Sequence, residues 1–290
     1  MCVYAAWNAF RVNGAFGFPL DDPWIHLQFA RNLHEYGSFS YYKNEMATSG
    51  STSPLYAALL SLGFFVTSNE FALSYTLGIA FLLLSAFVLS KLAQKLLGSP
   101  LAAGGAALLL LFEPRLEWIA LSGMETTFFV LATLSVWYFY TTRNSTALGL
   151  CSGLAIWIRP EAIIFLGVLA IDVLYSRVVF ARRPSGRKTA PAGTPGTGWA
   201  VRAGIIAALL GLAYVGFNLW LSGSLFPNTY AAKLKKYSGG PENFLGEVWV
   251  FVTAGHLSVF FFFTAIGILA VIWSVLKRRE EAFLISLLWP

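Results

Sequence analysis

The chain has 290 residues, of which 57% are hydrophobic and 12% charged, and its mean hydropathy is +0.65. An ordinary water-soluble domain carries about a quarter charged residues, so the composition excludes that class and predicts a membrane protein. The net charge of +6 would suggest nucleic acid if the basic residues formed one face. They cluster between apolar runs instead, so they read as topology signals and no nucleic-acid partner is expected.

A membrane span takes about 20 residues plus a connection, which leaves room for roughly eight or nine helices. Strand-like alternation over ten-residue units is absent from the pattern, so the expected fold is all-α, a polytopic transmembrane helix bundle forming a single domain over 1–290. The opening "MCVYAAWNAF" lacks the basic, apolar and small-residue order of a signal peptide and reads as the tail of a first membrane helix. The closing "EEAFLISLLWP" stops inside a new apolar segment, so a fragment of a longer chain is expected. Cys2 and Cys151 are an unlikely match for each other, and no disulfide is predicted.

The first aqueous or interfacial loop covers 21–53 and opens with "FPLDDPWIHLQFARNL". Asp22 before Pro23 reads as N-cap and first helical residue, and Gly37 as the stop, which predicts a helix over 23–36. Ile25, Phe29, Leu33 and Tyr36 form an apolar stripe, and Gln28, Arg31, Asn32 and Glu35 a polar one, so the helix is expected on the membrane surface. The apolar segment 54–68 is short for a span and reads as a juxtamembrane or re-entrant helix.

Spans follow over 71–89, 101–112, 127–140, 147–158 and 162–175, with the polar "EPRLEWIALSGMET" after the second. The Pro/Gly/Ser/Thr-rich stretch within 176–202, surrounded by arginines, predicts a flexible cytoplasmic linker. Spans at 203–221 and 249–273 flank a loop over 222–248. Placing Lys91, Lys95, Arg143, the linker and Lys277 to Arg279 inside satisfies the positive-inside rule and puts the first loop, 113–125, 159–161 and 222–248 outside. The carboxylates then gather outside, with only Asp172, Glu280 and Glu281 elsewhere. The Asn144-Ser145-Thr146 glycosylation pattern falls in a tight cytoplasmic loop and receives no role.

Asp22 is accounted for as a cap, whereas Asp21 has no local explanation. Each carboxylate raises the other's pKa while a helix N-terminus or a cation lowers it, so Asp21 could be held ionised as a general base. The pair could instead bind a divalent cation, although no third ligand is identifiable. His26, one turn after Asp22, and Arg31 could orient a carboxylate or meet a phosphate. "WIRPEAI" places Arg159 and Glu161 between apolar runs, where ionisable groups are functional candidates. Glu125 starts a span, where the helix dipole and capping alone would explain it. Tyr230, Lys233, Lys235 and Lys236 lie on the outer side, against the positive-inside tendency, which suits an anionic partner such as a lipid phosphate.

Taken in order, the Asp21-Asp22 pair, "HLQFARNLHEYGSFSYYKNE", "GSTSPLYAALLSL", "SGMETTFF", "RPEA" and "FPNTYAAK" resemble bacterial GT-C superfamily glycosyltransferases. The nearest branch is the polyprenyl-phosphate-sugar-dependent group that includes mycobacterial arabinofuranosyltransferases, with more distant similarity to protein mannosyltransferases and aminoarabinose transferases. In place of the lysine-proline-proline segment of the last group this chain has "STSP".

The resemblance implies a bundle of GT-C type with juxtamembrane helices in its first extracytoplasmic loop. It also implies an inverting transfer of a sugar from a polyprenyl-phosphate donor to a glycan, lipid or protein acceptor hydroxyl, on the outer face of the bacterial cytoplasmic membrane. Asp21 is the expected base with Asp22 second, Arg159 and Lys233 the first phosphate ligands, and Arg31, His26, Glu125, Glu161 and Tyr230 further candidates. No cofactor is expected beyond the possible cation at Asp21 and Asp22. A transporter or lipid flippase, disfavoured by the lack of an internal repeat, and a catalytically inactive scaffold are the competing readings.

Overall fold

The computed structural model describes residue 11 and residues 17–43, 45–181, 198–225 and 227. These belong to one compact unit, Met1–Asn228. The described residues are all-α, without a strand: α1 Asp22–Tyr36, α2 Pro54–Gly63, α3 Glu70–Leu97, α4 Pro100–Leu111, α5 Pro114–Ala120, α6 Thr126–Thr141, α7 Ser145–Ile158, a 3₁₀ turn Pro160–Ile163, α8 Ile164–Ala181 and α9 Gly198–Ser222. The 249–273 span and most of the 176–202 linker and 222–248 loop lie outside the described residues.

The helix boundaries follow local chemistry. Proline opens α2, α4 and α5, where its missing N–H costs nothing. The side chains of Asn69, Ser99, Glu113 and Asn144 each accept a hydrogen bond from a backbone N–H of the first turn they precede. Asn144, read above as an idle glycosylation pattern, thus serves as a cap. Gly37 ends α1 with φ +64°, a left-handed conformation that a side chain would strain.

Two helices, α3 with 28 residues and α9 with 25, are long and apolar enough to cross a membrane. At 1.5 Å per residue they reach about 42 and 37 Å, against about 30 Å of hydrocarbon. Two of the helices between them are shorter and end at breaks: α4 has 12 residues and α7 has 14, about 18 and 21 Å. Pro114 and Pro160 impose the breaks, and the first creates α5 inside a stretch expected to be a plain polar connection. The outer faces of α3, α4 and α9 are apolar, with Leu83, Leu84, Phe87, Leu101, Leu109, Leu209, Leu212 and Trp220 exposed.

Side-chain contacts define the two ends of the bundle. At one end Ser49 meets Ser222, Phe39 meets Phe217, and Tyr56 donates to the Gly123 carbonyl. At the other, the Arg143 guanidinium lies 4.4 Å from the Trp199 ring centroid and 5.2 Å from that of Tyr140. The first loop, the start of α6 and the end of α9 therefore share an end.

The α1 helix is more deeply packed than a surface stripe allows. It buries Pro23, His26, Leu27, Phe29, Ala30 and Asn32, whereas Tyr36 is exposed. Leu27 and Ala30 join Tyr56, Leu60, Leu73 and Phe81 in one core cluster, and Phe29 joins Phe39, Ala57 and Leu221 in another. Two polar residues can be buried because they find partners: Asn32 donates to the carbonyls of Ser40 and Tyr41 at 2.9 and 3.0 Å, and His26 enters the network below.

Helices α7 and α9 run parallel: Gly149 faces Ala203 and Ile206, Gly153 faces Leu210, and Trp157 donates to the Leu210 carbonyl at 3.0 Å. The "GLCSG" segment supplies the small-xxx-small spacing that lets two backbones approach closely. A Cβ on Gly149 would stand 2.7 Å from the Ala203 oxygen, and one on Gly153 2.6 Å from Leu210 Cβ. Gly149→Leu or Gly153→Leu is therefore expected to destabilise the fold by about 1–3 kcal/mol. Gly104→Ala, on open helix surface, should be neutral or stabilising by up to about 1 kcal/mol. Thermal unfolding in detergent measures all three, and equal behaviour would refute the close α7–α9 packing.

Candidate functional site

The approach to α1 is held by aromatic contacts. The Phe18 ring packs against Trp24, Phe71 and Tyr75 at centroid distances of 5.1, 4.9 and 5.9 Å, and the Tyr75 hydroxyl donates to the Gly17 carbonyl. The helix then begins one residue earlier than expected, with Asp21 rather than Asp22 at the cap position, and neither carboxylate caps it. Pro23 has no N–H, and the Trp24 N–H is taken by the Asp21 carbonyl at 3.1 Å, so the nearest donors are absent or spent. Both side chains are exposed, their oxygens free of hydrogen bonds or ion pairs among the described residues.

One turn further on, His26 is buried and uses both ring nitrogens. Nδ1 lies 3.1 Å from Ser51 Oγ, and Nε2 lies 3.1 Å from Glu125 Oε2. The other carboxylate oxygen, Oε1, is 3.3 Å from Arg159 Nε. Capping alone would have explained Glu125 at the start of its helix, but the side chain makes no capping bond and turns inward to His26 and Arg159. Glu125 Oε2 has ion-pair contact with His26 but no aligned hydrogen-bond donor. Exposure falls steeply across the pair, from 35% for the Arg159 side chain to 2% for that of Glu125.

The turn that carries Glu125 is pressed onto α1. Gly123 has φ +77°, and a Cβ there would stand 2.6 Å from the Phe18 ring and 3.0 Å from Pro23 Cβ. Only glycine lets the "SGMET" turn lie this close to the first turn of α1. Tyr56 closes the floor: its hydroxyl donates to the Gly123 carbonyl at 3.0 Å, and its ring meets His26 edge-on at 5.6 Å. Ser51 Oγ also accepts from the Ser53 N–H, which links this floor to the start of α2.

Electrostatically, burial pushes the Glu125 carboxyl up, but the contact and charge of His26 and the charge of Arg159 outweigh it, leaving the group below the usual glutamate value. Burial, together with the charge on Glu125, raises the Tyr56 phenol, which stays a neutral donor. The network is thus built around one ionised carboxylate.

The remaining candidates lie apart from this network or outside the description. Arg31 forms an ion pair with Glu70 at the start of α3. Glu161 is exposed in the 3₁₀ turn after Arg159. Tyr230 and Lys233 lie outside the described residues. No group of three or more His, Cys, Asp or Glu among the described residues is placed to hold a metal ion. Sequence reasoning missed Ser51, Tyr56 and Gly123; the signal available was a tyrosine in an otherwise apolar short helix and a glycine two residues before an acid.

Comparison with known protein families, with curated proteins and with solved structures finds no match to this chain.

The depressed Glu125 pKa has a definite sign for stability. A carboxylate bound more favourably in the folded state stabilises it fully above the ordinary value of 4.5, and that contribution is lost as pH falls through the lowered folded value. Glu125→Gln is expected to cost about 1–3 kcal/mol near neutral pH, with the gap to the unsubstituted protein closing below that value. Unfolding in detergent across pH tests this; a gap that does not change with pH would show that the charge is not what is held.

Proposed function

We propose that the chain is a membrane glycosyltransferase of GT-C type, in the bacterial cytoplasmic membrane. It moves a sugar from a polyprenyl-phosphate donor to an acceptor hydroxyl on the extracytoplasmic side, with inversion. The observation that carries this reading is one juxtaposition: two exposed carboxylates at the head of α1, one turn from a buried histidine whose carboxylate partner, Glu125, also pairs with a half-exposed arginine.

In this reaction the acceptor oxygen attacks the anomeric carbon while the bond to the phosphate oxygen breaks. The acceptor proton passes to Asp21, and the lipid monophosphate departs with the electron pair. A hydroxyl barely ionises at neutral pH, so a carboxylate that takes the proton as the bond forms lowers the barrier. An exposed oxygen with no competing bond is suited to that task, and Asp22 is its neighbour. Charge grows on the phosphate as it leaves, and Arg159 offers a planar fork matched to phosphate oxygens.

Two further features support the reading. The apolar outer faces of α3 and α9 would lodge in hydrocarbon, where the donor's prenyl tail must remain. Lys91, Lys95 and Arg143 lie toward the opposite end of the bundle from Glu125, the arrangement the positive-inside rule expects of an extracytoplasmic site. A transporter would bury its ionisable groups near the bilayer midplane, whereas this network sits at one end.

Asp21→Asn in the full-length protein is expected to lower sugar transfer by about 10²–10⁴-fold, with a smaller loss for Asp22→Asn. Arg159→Lys, which keeps the charge but not the fork, should also be damaging. Transfer of labelled sugar from a polyprenyl-phosphate donor measures these losses, and undiminished transfer by the Asp21 variant would defeat the assignment. Mass spectrometry of co-purified lipids should find a polyprenyl monophosphate sugar and report its mass.

A further inference from the structure

Arg159 is constrained at every point except its tip. It precedes Pro160, its backbone is extended (φ −148°, ψ 127°), and its N–H donates to the Ala155 carbonyl at 2.8 Å. The guanidinium lies 5.9 Å from the Phe129 ring centroid, and Nε faces Glu125 Oε1 at 3.3 Å. Its two terminal nitrogens have no partner among the described residues, and the side chain is 35% exposed. Glu125 is held in turn: Oε2 stands against His26 Nε2, and Ser51 Oγ pairs with Nδ1 of the same ring.

We infer that Glu125 is a positioning residue for an anion site at Arg159. Its ion pair with the guanidinium at Nε leaves the two terminal nitrogens to present a pair of donors to a phosphate monoester. Ser51 and His26 form the rear support that keeps Glu125 in that orientation. A carboxylate bridging both terminal nitrogens would instead occupy the end of the fork that this arrangement leaves open. This inference rests on the lipid-phosphate reading above, because it names what the fork is turned toward.

The test is a double-mutant cycle with undecaprenyl monophosphate as the probe, bound to the full chain in detergent. Arg159→Lys and Glu125→Gln are each expected to weaken binding by about tenfold, with the double variant no weaker than Arg159→Lys alone, because both changes remove the same fork. Near-ultraviolet circular dichroism checks that each variant is folded. Should Glu125→Gln fail to fold, Glu125→Asp takes its place in the same cycle, retaining the charge at a reach shorter by one methylene.

Unchanged binding by the folded Glu125 variant, or losses that multiply independently in the double variant, overturns the positioning role and leaves the lipid-phosphate reading standing. No binding by the unsubstituted protein, or binding indifferent to Arg159→Lys, overturns both.

Discussion

The structure depends on one buried charge. Glu125 is 1% exposed, and an isolated charge so placed would cost several kcal/mol, a large part of a domain's stability, or take up a proton unless paired. Its two partners come from distant parts of the chain, His26 from α1 and Arg159 from the break after α7. Satisfying one carboxylate therefore ties the first loop, the start of α6 and the end of α7 into a single unit. Removing either partner would leave the charge uncompensated, which is costlier than never having buried it.

Around that constraint the packing divides into a rigid interior and an accessible rim. Tyr56, Gly123 and Ser51 fix the interior by direct hydrogen bonds and close approach. Asp21 and Asp22 occupy the rim because Pro23 withdraws the donor that would otherwise have absorbed one of them as a cap. The aromatic contacts of Phe18 with Trp24, Phe71 and Tyr75 hold this rim to α3, so the carboxylates sit on a supported helix start and not on a free loop. Arg159 meets the interior through Nε, while its side chain is 35% exposed.

The amino-acid sequence by itself determined the all-helical class and placed most helix ends within a few residues, because proline, glycine and the polar caps act locally. It also singled out Asp21, Asp22, His26, Glu125 and Arg159 as residues of interest, since each is an ionisable group where the composition is otherwise apolar. Only the tertiary structure decided that Glu125 faces inward to His26 and Arg159 instead of capping its helix, and that α1 buries His26 and Asn32 while exposing Tyr36. Those outcomes depend on partners outside the helix concerned: Glu125 meets His26 and Arg159 from two other elements, and Asn32 meets the carbonyls of Ser40 and Tyr41 beyond the end of α1. Hydrophobic periodicity reports which face of a helix prefers burial, but a polar group can join that face when a distant segment supplies its bond, and no local pattern encodes that supply.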